Sequence, residues 1–197
     1  MDSAGTQLLV ALGANQPFER WTPDQLVPEA ARQIALEFGG ALRLSALYRT
    51  PCFPVGAGPD YVNAAALVTV PRPVTADQAL QTLHQIEARF GRQRFTRWGA
   101  RTLDIDLLAM GDAVLPDLAE QGRWRTLPSE DQARVAPDRL ILPHPRLQDR
   151  AFVLVPLADV AADWRHPVLG LSVAEMLAAL PASARAEVVR LNPAASF

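Results

Sequence analysis

An α+β sandwich, one antiparallel sheet covered by helices, is the fold class that this 197-residue sequence predicts. Three observations carry it. Apolar or alternating runs at 7–12, 42–49, 61–70 and 102–110 read as strands. Two helix-start signatures, Thr22-Pro23-Asp24-Gln25 and Thr75 with Gln78, lie between them, each followed by apolar residues at helical spacing. The resulting order is strand, helix, strand, strand, helix, strand. That βαββαβ order is the split β-α-β arrangement of a ferredoxin-like sandwich.

Gln7 to Leu12 is a short apolar run, a buried strand that stops at Gly13-Ala14-Asn15. Ala30, Ile34, Ala35 and Phe38 mark the core face of the first helix, and Gly39-Gly40 end it; Pro28 disturbs the first turn and moves the expected start later. Leu42, Leu44, Ala46 and Tyr48 alternate with Arg43, Ser45, Leu47 and Arg49, which predicts one continuous strand. Thr50 to Asp60 is a Pro- and Gly-rich loop, and Tyr61 to Val70 returns antiparallel to the strand before it. Leu80, Leu83, His84, Ile86, Glu87 and Phe90 continue the second helix, which Gly91 closes. Thr102 to Met110 alternates as a strand. Residues 112–138 are polar and irregular and read as an insertion or a loose hairpin. Ala151 to Val160 is a buried run, expected to be partly strand, and Ser172 to Leu180 a last short helix. Neither a repeat nor a linker divides the chain, so one domain over residues 1–197 is expected.

Composition narrows the function. With 49% hydrophobic and 20% charged residues the chain can bury a core, which excludes a disordered tail protein. The most apolar window, Ala151 to Ala162, is broken by Pro156 and Asp159, so no spanning helix is expected. The first positive charge is Arg20, so no signal peptide is expected, and a lone Cys52 forms no internal disulfide; both point to the cytoplasm. All 19 Lys+Arg residues are Arg. The lack of lysine excludes P-loop, Schiff-base and Ser-Lys chemistry, and leaves Arg, backbone N–H groups or a metal to hold any anion. A net charge of −2 argues against a broad nucleic-acid surface.

The sharpest chemical feature is the block from Arg97 to Leu108. On a strand Asp104 and Asp106 share one face while Leu103, Ile105 and Leu107 point into the core. Two carboxylates starting roughly 6–7 Å apart repel by about 2–3 kcal/mol at an effective dielectric of 20, and magnesium is the natural neutraliser. The bland alternative is a solvated edge strand whose aspartates pair with arginines. Arg89, Arg92, Arg94, Arg97 and Arg101 precede the pair, with Phe95 and Trp98 among them and no acid from Ala88 to Leu103. Such a cluster suits phosphate oxygens, or else single-stranded nucleic acid stacked on the aromatics. Leu142-Pro143-His144-Pro145-Arg146, followed by Arg150 and Phe152, fixes a histidine in a loop; His166 and Cys52 read as structural residues.

Four blocks resemble one family, 6-hydroxymethyl-7,8-dihydropterin pyrophosphokinase. They are Leu12-Gly13-Ala14-Asn15; Tyr48-Arg49-Thr50-Pro51 with Tyr61-Val62-Asn63-Ala64; Arg97 to Leu108; and Pro143-His144 with Arg150-Ala151-Phe152-Val153-Leu154. The resemblance implies transfer of pyrophosphate from ATP to the pterin hydroxymethyl group with release of AMP, on a ferredoxin-like fold. It implies that Asp104 and Asp106 bind two Mg2+ ions and that Arg92 and Arg101 neutralise charge on the transferred group. ATP contacts fall on His84, Glu87, Arg94, Arg97, Trp98, Leu107, Arg139, His144 and Arg150. Tyr61 and Phe152 would sandwich the pterin, Asn63 would read its edge, and Thr50, Pro51, Phe53 and Trp98 would line the slot. His84 stands where the family often has Gln, Ile141 and Pro145 replace more polar residues, and the 112–138 segment is longer than in the family. Expected partners are the two small-molecule substrates, with no nucleic acid and no membrane, on a monomer. The rival from another class is a non-enzymatic nucleotide- or RNA-binding module on the same fold, to which two carboxylates in a basic patch contribute nothing.

Overall fold

The protein is described by a computed structural model covering residues 5–52, 56, 58–91, 102–128, 131 and 134–192. Among these, strands β1 (Thr6–Ala14), β2 (Ala41–Leu44), β3 (Tyr48–Thr50), β4 (Tyr61–Val70), β5 (Asp104–Met110) and β6 (Val189–Arg190) form one antiparallel sheet. Its order is β5-β1-β4-β3-β6, with β2 also paired to β4. The described residues also form helices α1 (Pro23–Phe38), α2 (Ala76–Arg89), α3 (Leu118–Arg125), α4 (Ala151–Ala161), α5 (Val173–Ala179) and α6 (Ala182–Ala186). The strand-helix order is the predicted α+β ferredoxin-like one, with the second strand split in two.

Strand alternation builds two apolar layers. Leu8, Val10 and Leu12 of β1, with Ala64, Ala66 and Val68 of β4, pack on Leu26 and Ile34 of α1 and on Leu83 and Ile86 of α2. On the opposite face Leu9, Ala65 and Leu108 meet Val153, Leu154 and Leu157 of α4 and Val173 and Met176 of α5. Both predicted helix starts are in place. The Thr22 N–H and hydroxyl donate to Gln25 Oε1 at 3.2 and 3.0 Å, and Thr75 and Gln78 exchange side-chain-to-backbone bonds. Contrary to expectation, α1 begins at Pro23 and runs through Pro28. Only the carbonyl of exposed Asp24 loses its helical donor there, at the water-facing end where hydration replaces it.

Two other expectations are corrected. Residues 42–49 are not one strand: between the Leu44–Ala66 and Tyr48–Asn63 pairs, residues 45–47 oppose only Ala64 and Ala65. Ser45 fills the irregularity, its N–H donating to Ala65 O and its Oγ accepting from Ala65 N, both at 2.9 Å. One extra residue shifts the alternation, so Leu42 and Leu44 face α1 whereas Tyr48 turns toward α4 and donates to Asp159 Oδ2 at 2.9 Å. Thr50 follows Tyr48 onto that face. Ala151 to Val160 is helix, not part strand. An unbroken apolar run is ambiguous in period, and here buried Val153, Leu154, Leu157 and Val160 recur at helical spacing against the sheet. The 112–138 segment contains α3, capped by Asp117 Oδ1, which accepts from Glu120 N at 2.8 Å.

His166 is fully buried, its Nδ1 accepting from Val168 N at 3.2 Å and Leu169 N at 3.3 Å. Burial, and secondarily the nearby Arg125, lower its pKa to about 4. The folded state therefore keeps this imidazole neutral over a range in which the unfolded chain protonates it. Its stabilisation is complete above about pH 6.5 and falls away as the pH drops toward 4, by about 3 kcal/mol at most. Urea titrations at pH 7 and pH 4.5 should show that loss in the wild type. His166→Asn, whose Oδ1 can accept the same two N–H groups without titrating, should show a smaller one.

Candidate active site

The register of the sheet assembles the site. Gly13 on β1 lies opposite Asn63 on β4 and opposite Asp104 on β5, and Asn63 in turn lies opposite Tyr48 on β3. One row across the α4-side face thus reads Asp104, Gly13, Asn63, Tyr48. The neighbouring pairs are Asp106 with Ala11 and Tyr61 with Thr50. Asn63 is nearly buried, and its Nδ2 donates to Thr50 Oγ1 at 2.8 Å. Gly13 supplies the space between the amide and the carboxylate. A Cβ there would lie 2.9 Å from Asn63 Oδ1.

Asp104 and Asp106 do share one face, while Leu103, Ile105 and Leu107 are buried in the α1/α2 layer. β5 is the edge strand of the sheet, as the bland alternative required, and Arg150 approaches Asp106, Nη1 to Oδ2 at 3.7 Å. That separation exceeds a hydrogen bond, and both side chains are partly exposed, so the pair leaves the carboxylate open to another cation. The Arg150 guanidinium sits 5.6 Å from the ring centroid of Phe152, which is 40% exposed at the first turn of α4. The acid, the guanidinium and the aromatic predicted for this site are therefore neighbours.

His144 is delivered by a loop pinned to β5, its N–H donating to Leu108 O at 2.8 Å. The residue keeps some surface, but enclosure of its ring, with Arg150 and Arg146 close by, lowers its pKa to about 3, and the charge of Asp104 opposes that shift. The imidazole is neutral at pH 7. Its Nδ1 accepts from Arg146 N at 3.2 Å. Arg146, a residue with no expected role, has its own pKa lowered by burial first and by Arg150 second. Two guanidiniums near one another, with Arg150 beside Asp106, favour an anion. The signal that would have found Arg146 is its place one turn before Arg150.

Other predicted residues lie elsewhere. Glu87 is buried on the α2 side, where its Oε1 accepts from Ile105 N, the exposed-edge donor of β5, at 2.7 Å. Leu107 is in the same layer, on the face opposite the aspartates. Replacing Glu87 by Leu leaves the Ile105 N–H buried without that acceptor and should cost about 1–3 kcal/mol in chemical denaturation. His84 is half-buried on α2, and Pro51 is exposed after β3. Arg139 lies beside Asp138 at 3.4 Å and within the field of Glu120. Phe53, Arg92, Arg94, Arg97, Trp98 and Arg101 are outside the described residues. A hollow of about 400 Å3 opens at the other end of α4, between Arg43, Asp159 and Trp164. It does not adjoin the aspartates.

The fit to a metal follows from the donor set. Among the described residues no group of three or more His, Cys, Asp or Glu side chains could hold an ion. Two carboxylates alone suit Mg2+, which keeps waters and completes its shell with substrate phosphates, and do not suit a protein-caged zinc.

Residues 9–162, well over half of the chain, match the model of the family described as 7,8-dihydro-6-hydroxymethylpterin-pyrophosphokinase (HPPK). The chain belongs to this family. Relatives named 2-amino-4-hydroxy-6-hydroxymethyldihydropteridine pyrophosphokinase include one from Synechocystis sp., 38% identical over 149 residues, 75% of this chain and 65% of the relative. Another, from Haemophilus influenzae, is 30% identical over 159 residues, 80% of this chain and 83% of that one. Among solved structures, a triple-mutant HPPK-DHPS from Plasmodium falciparum superposes with a TM-score of 0.57 at 13% identity, over 90% of this chain and 44% of that one. An HPPK-DHPS in complex with substrates gives 0.61 at 11%, over 89% and 45%. At these identities the structures establish the HPPK fold. The chain spans about two-thirds of the Synechocystis relative and under half of the HPPK-DHPS chains.

Proposed function

We propose that this chain transfers the terminal pyrophosphoryl unit of ATP to the hydroxymethyl group of 6-hydroxymethyl-7,8-dihydropterin, releasing AMP, as an ATP-dependent diphosphotransferase of folate biosynthesis. The observation that carries the reading is the single sheet face on which Asp104 and Asp106 stand across Gly13 from Asn63. A phosphate-handling half and a ring-reading half lie side by side there. Asp104 and Asp106 would hold two Mg2+ ions, which would supply Lewis-acid withdrawal of charge from the triphosphate oxygens. Arg150 and His144 orient the triphosphate from the α4 side, Arg92 and Arg101 neutralise charge on the transferred group, and Arg94 and Arg97 contact ATP. Asn63 presents a donor and an acceptor to the pterin edge, Thr50 fixes the direction of that amide, and Tyr61 and Phe152 cover the ring faces. Proximity of the hydroxymethyl oxygen to the β-phosphorus follows from the shared face and supplies much of the rate.

A single domain, a monomeric state and a cytoplasmic location complete the proposal. Among the described residues no helix is long and apolar enough to cross a membrane. Incubating it with ATP, magnesium and the pterin, then separating the nucleotides, tests the reading. AMP should form only when all three are present. ADP as the product would mean an ordinary kinase, and salt-sensitive RNA binding without turnover would favour the binding module.

A further inference from the structure

The polar 112–138 segment between β5 and His144 takes no part in the site described above. Its helix α3 carries Gln121, which is fully buried and is the one buried residue of that helix. The Gln121 Nε2 donates to Pro143 O at 3.2 Å. That carbonyl belongs to the same peptide unit whose N–H, from His144, donates to Leu108 O of β5 at 2.8 Å. One peptide plane is therefore held at both ends, by α3 and by the strand that carries the aspartates. The approach to it is fixed as well: Leu115 and Leu142 exchange backbone hydrogen bonds at 2.8 and 3.1 Å, which ties the start of this segment to the residue before Pro143. α3 itself is anchored by the Asp117 cap.

We infer that Gln121 is a positioning residue for the nucleotide: it fixes the rotation of the Pro143–His144 peptide and so aims His144 at the triphosphate beside Asp104. This rests on the proposed ATP reaction. A planar peptide has one remaining freedom when its N–H alone is bonded, rotation about that bond; a second hydrogen bond on the carbonyl removes it. Gln121 supplies the second bond. Its effect is confined to the nucleotide side, because Asn63, Thr50 and Tyr61 are held by β3 and β4, which α3 does not bond to in any of the hydrogen bonds described.

The test is Gln121→Met, which keeps length and bulk and removes the donor. Binding of a non-hydrolysable ATP analogue with Mg2+ should weaken roughly 3- to 10-fold, the worth of one hydrogen bond, with the KM for ATP rising in parallel. The KM for the pterin should stay within about twofold. A structural role alone would move both substrates or only the unfolding temperature. If Gln121→Met does not fold, Asp117→Ala loosens α3 from its exposed N-terminus and should give the same ATP-selective change. Unchanged analogue binding in a folded variant, or equal weakening toward ATP and pterin, overturns the inference while leaving the proposed reaction standing. Absence of analogue binding to the wild-type protein overturns both.

Discussion

Asp104→Asn and Asp106→Asn should each lower the rate of AMP formation at least about 100-fold, a loss of about 3 kcal/mol in transition-state stabilisation. Asn keeps the size of Asp and one acceptor oxygen but not the charge that draws a divalent cation and its bound phosphates to this face. Stability should hardly change. Asp106 meets Arg150 at 3.7 Å with both groups partly exposed, so that pair contributes about 1 kcal/mol or less. The decisive comparison sets single-turnover rate against urea midpoint for each variant. Normal turnover in either one removes the two-metal assignment, and joint loss of rate and folding would mean that the carboxylates are structural. Raising Mg2+ should recover part of the activity in the single variants, because each retains one carboxylate.

Gly13→Ala should cost roughly 10- to 100-fold in kcat/KM for the pterin and little in binding of ATP alone. The added methyl would lie 2.9 Å from Asn63 Oδ1, closer than such contacts are found, so the amide must move. Asn63 is nearly buried and tied to Thr50 at 2.8 Å, which leaves rotation away from the ring edge as its escape. A site built to hydrogen-bond a heterocycle loses heavily when that bond is misdirected. Steady-state kinetics with each substrate varied separately can check this. A uniform loss for both substrates, or none, would mean that Gly13 is a strand residue without influence on the slot. Asn63→Ala in the Gly13→Ala background adds a second check: the two effects should be far from additive, because they act through one amide.

Much of this arrangement was legible before any coordinates. The Asp-x-Asp spacing puts both carboxylates on one face wherever a strand forms, because side chains alternate with period two; Ile105 and Leu107 then mark the other face as core. Thr22 with Gln25 and Thr75 with Gln78 announce helix starts through bonds made within four residues. The alternating runs set the order of strands and helices, and that order decides the topology. These are local properties, and local chemistry suffices to state them.

Tertiary structure decided what depends on neighbours distant in the chain. The residue added between Leu44 and Tyr48 is invisible in an alternating run, yet it turns Tyr48 and Thr50 to the α4 face. Whether Ala151 to Val160 would be strand or helix depended on what it packed against, since an unbroken apolar run has no period that excludes either. The resemblance implies an ATP contact for Glu87, and only the meeting of α2 with β5 shows its carboxylate accepting from Ile105 N. Gly13 has no side chain to advertise a role, and its importance comes from lying in register between Asn63 and Asp104. The use of Gln121 likewise required a polar helix to fold back on a loop 22 residues away. Spacing along the chain determines which face a side chain takes, while register and packing between remote segments determine what waits on that face.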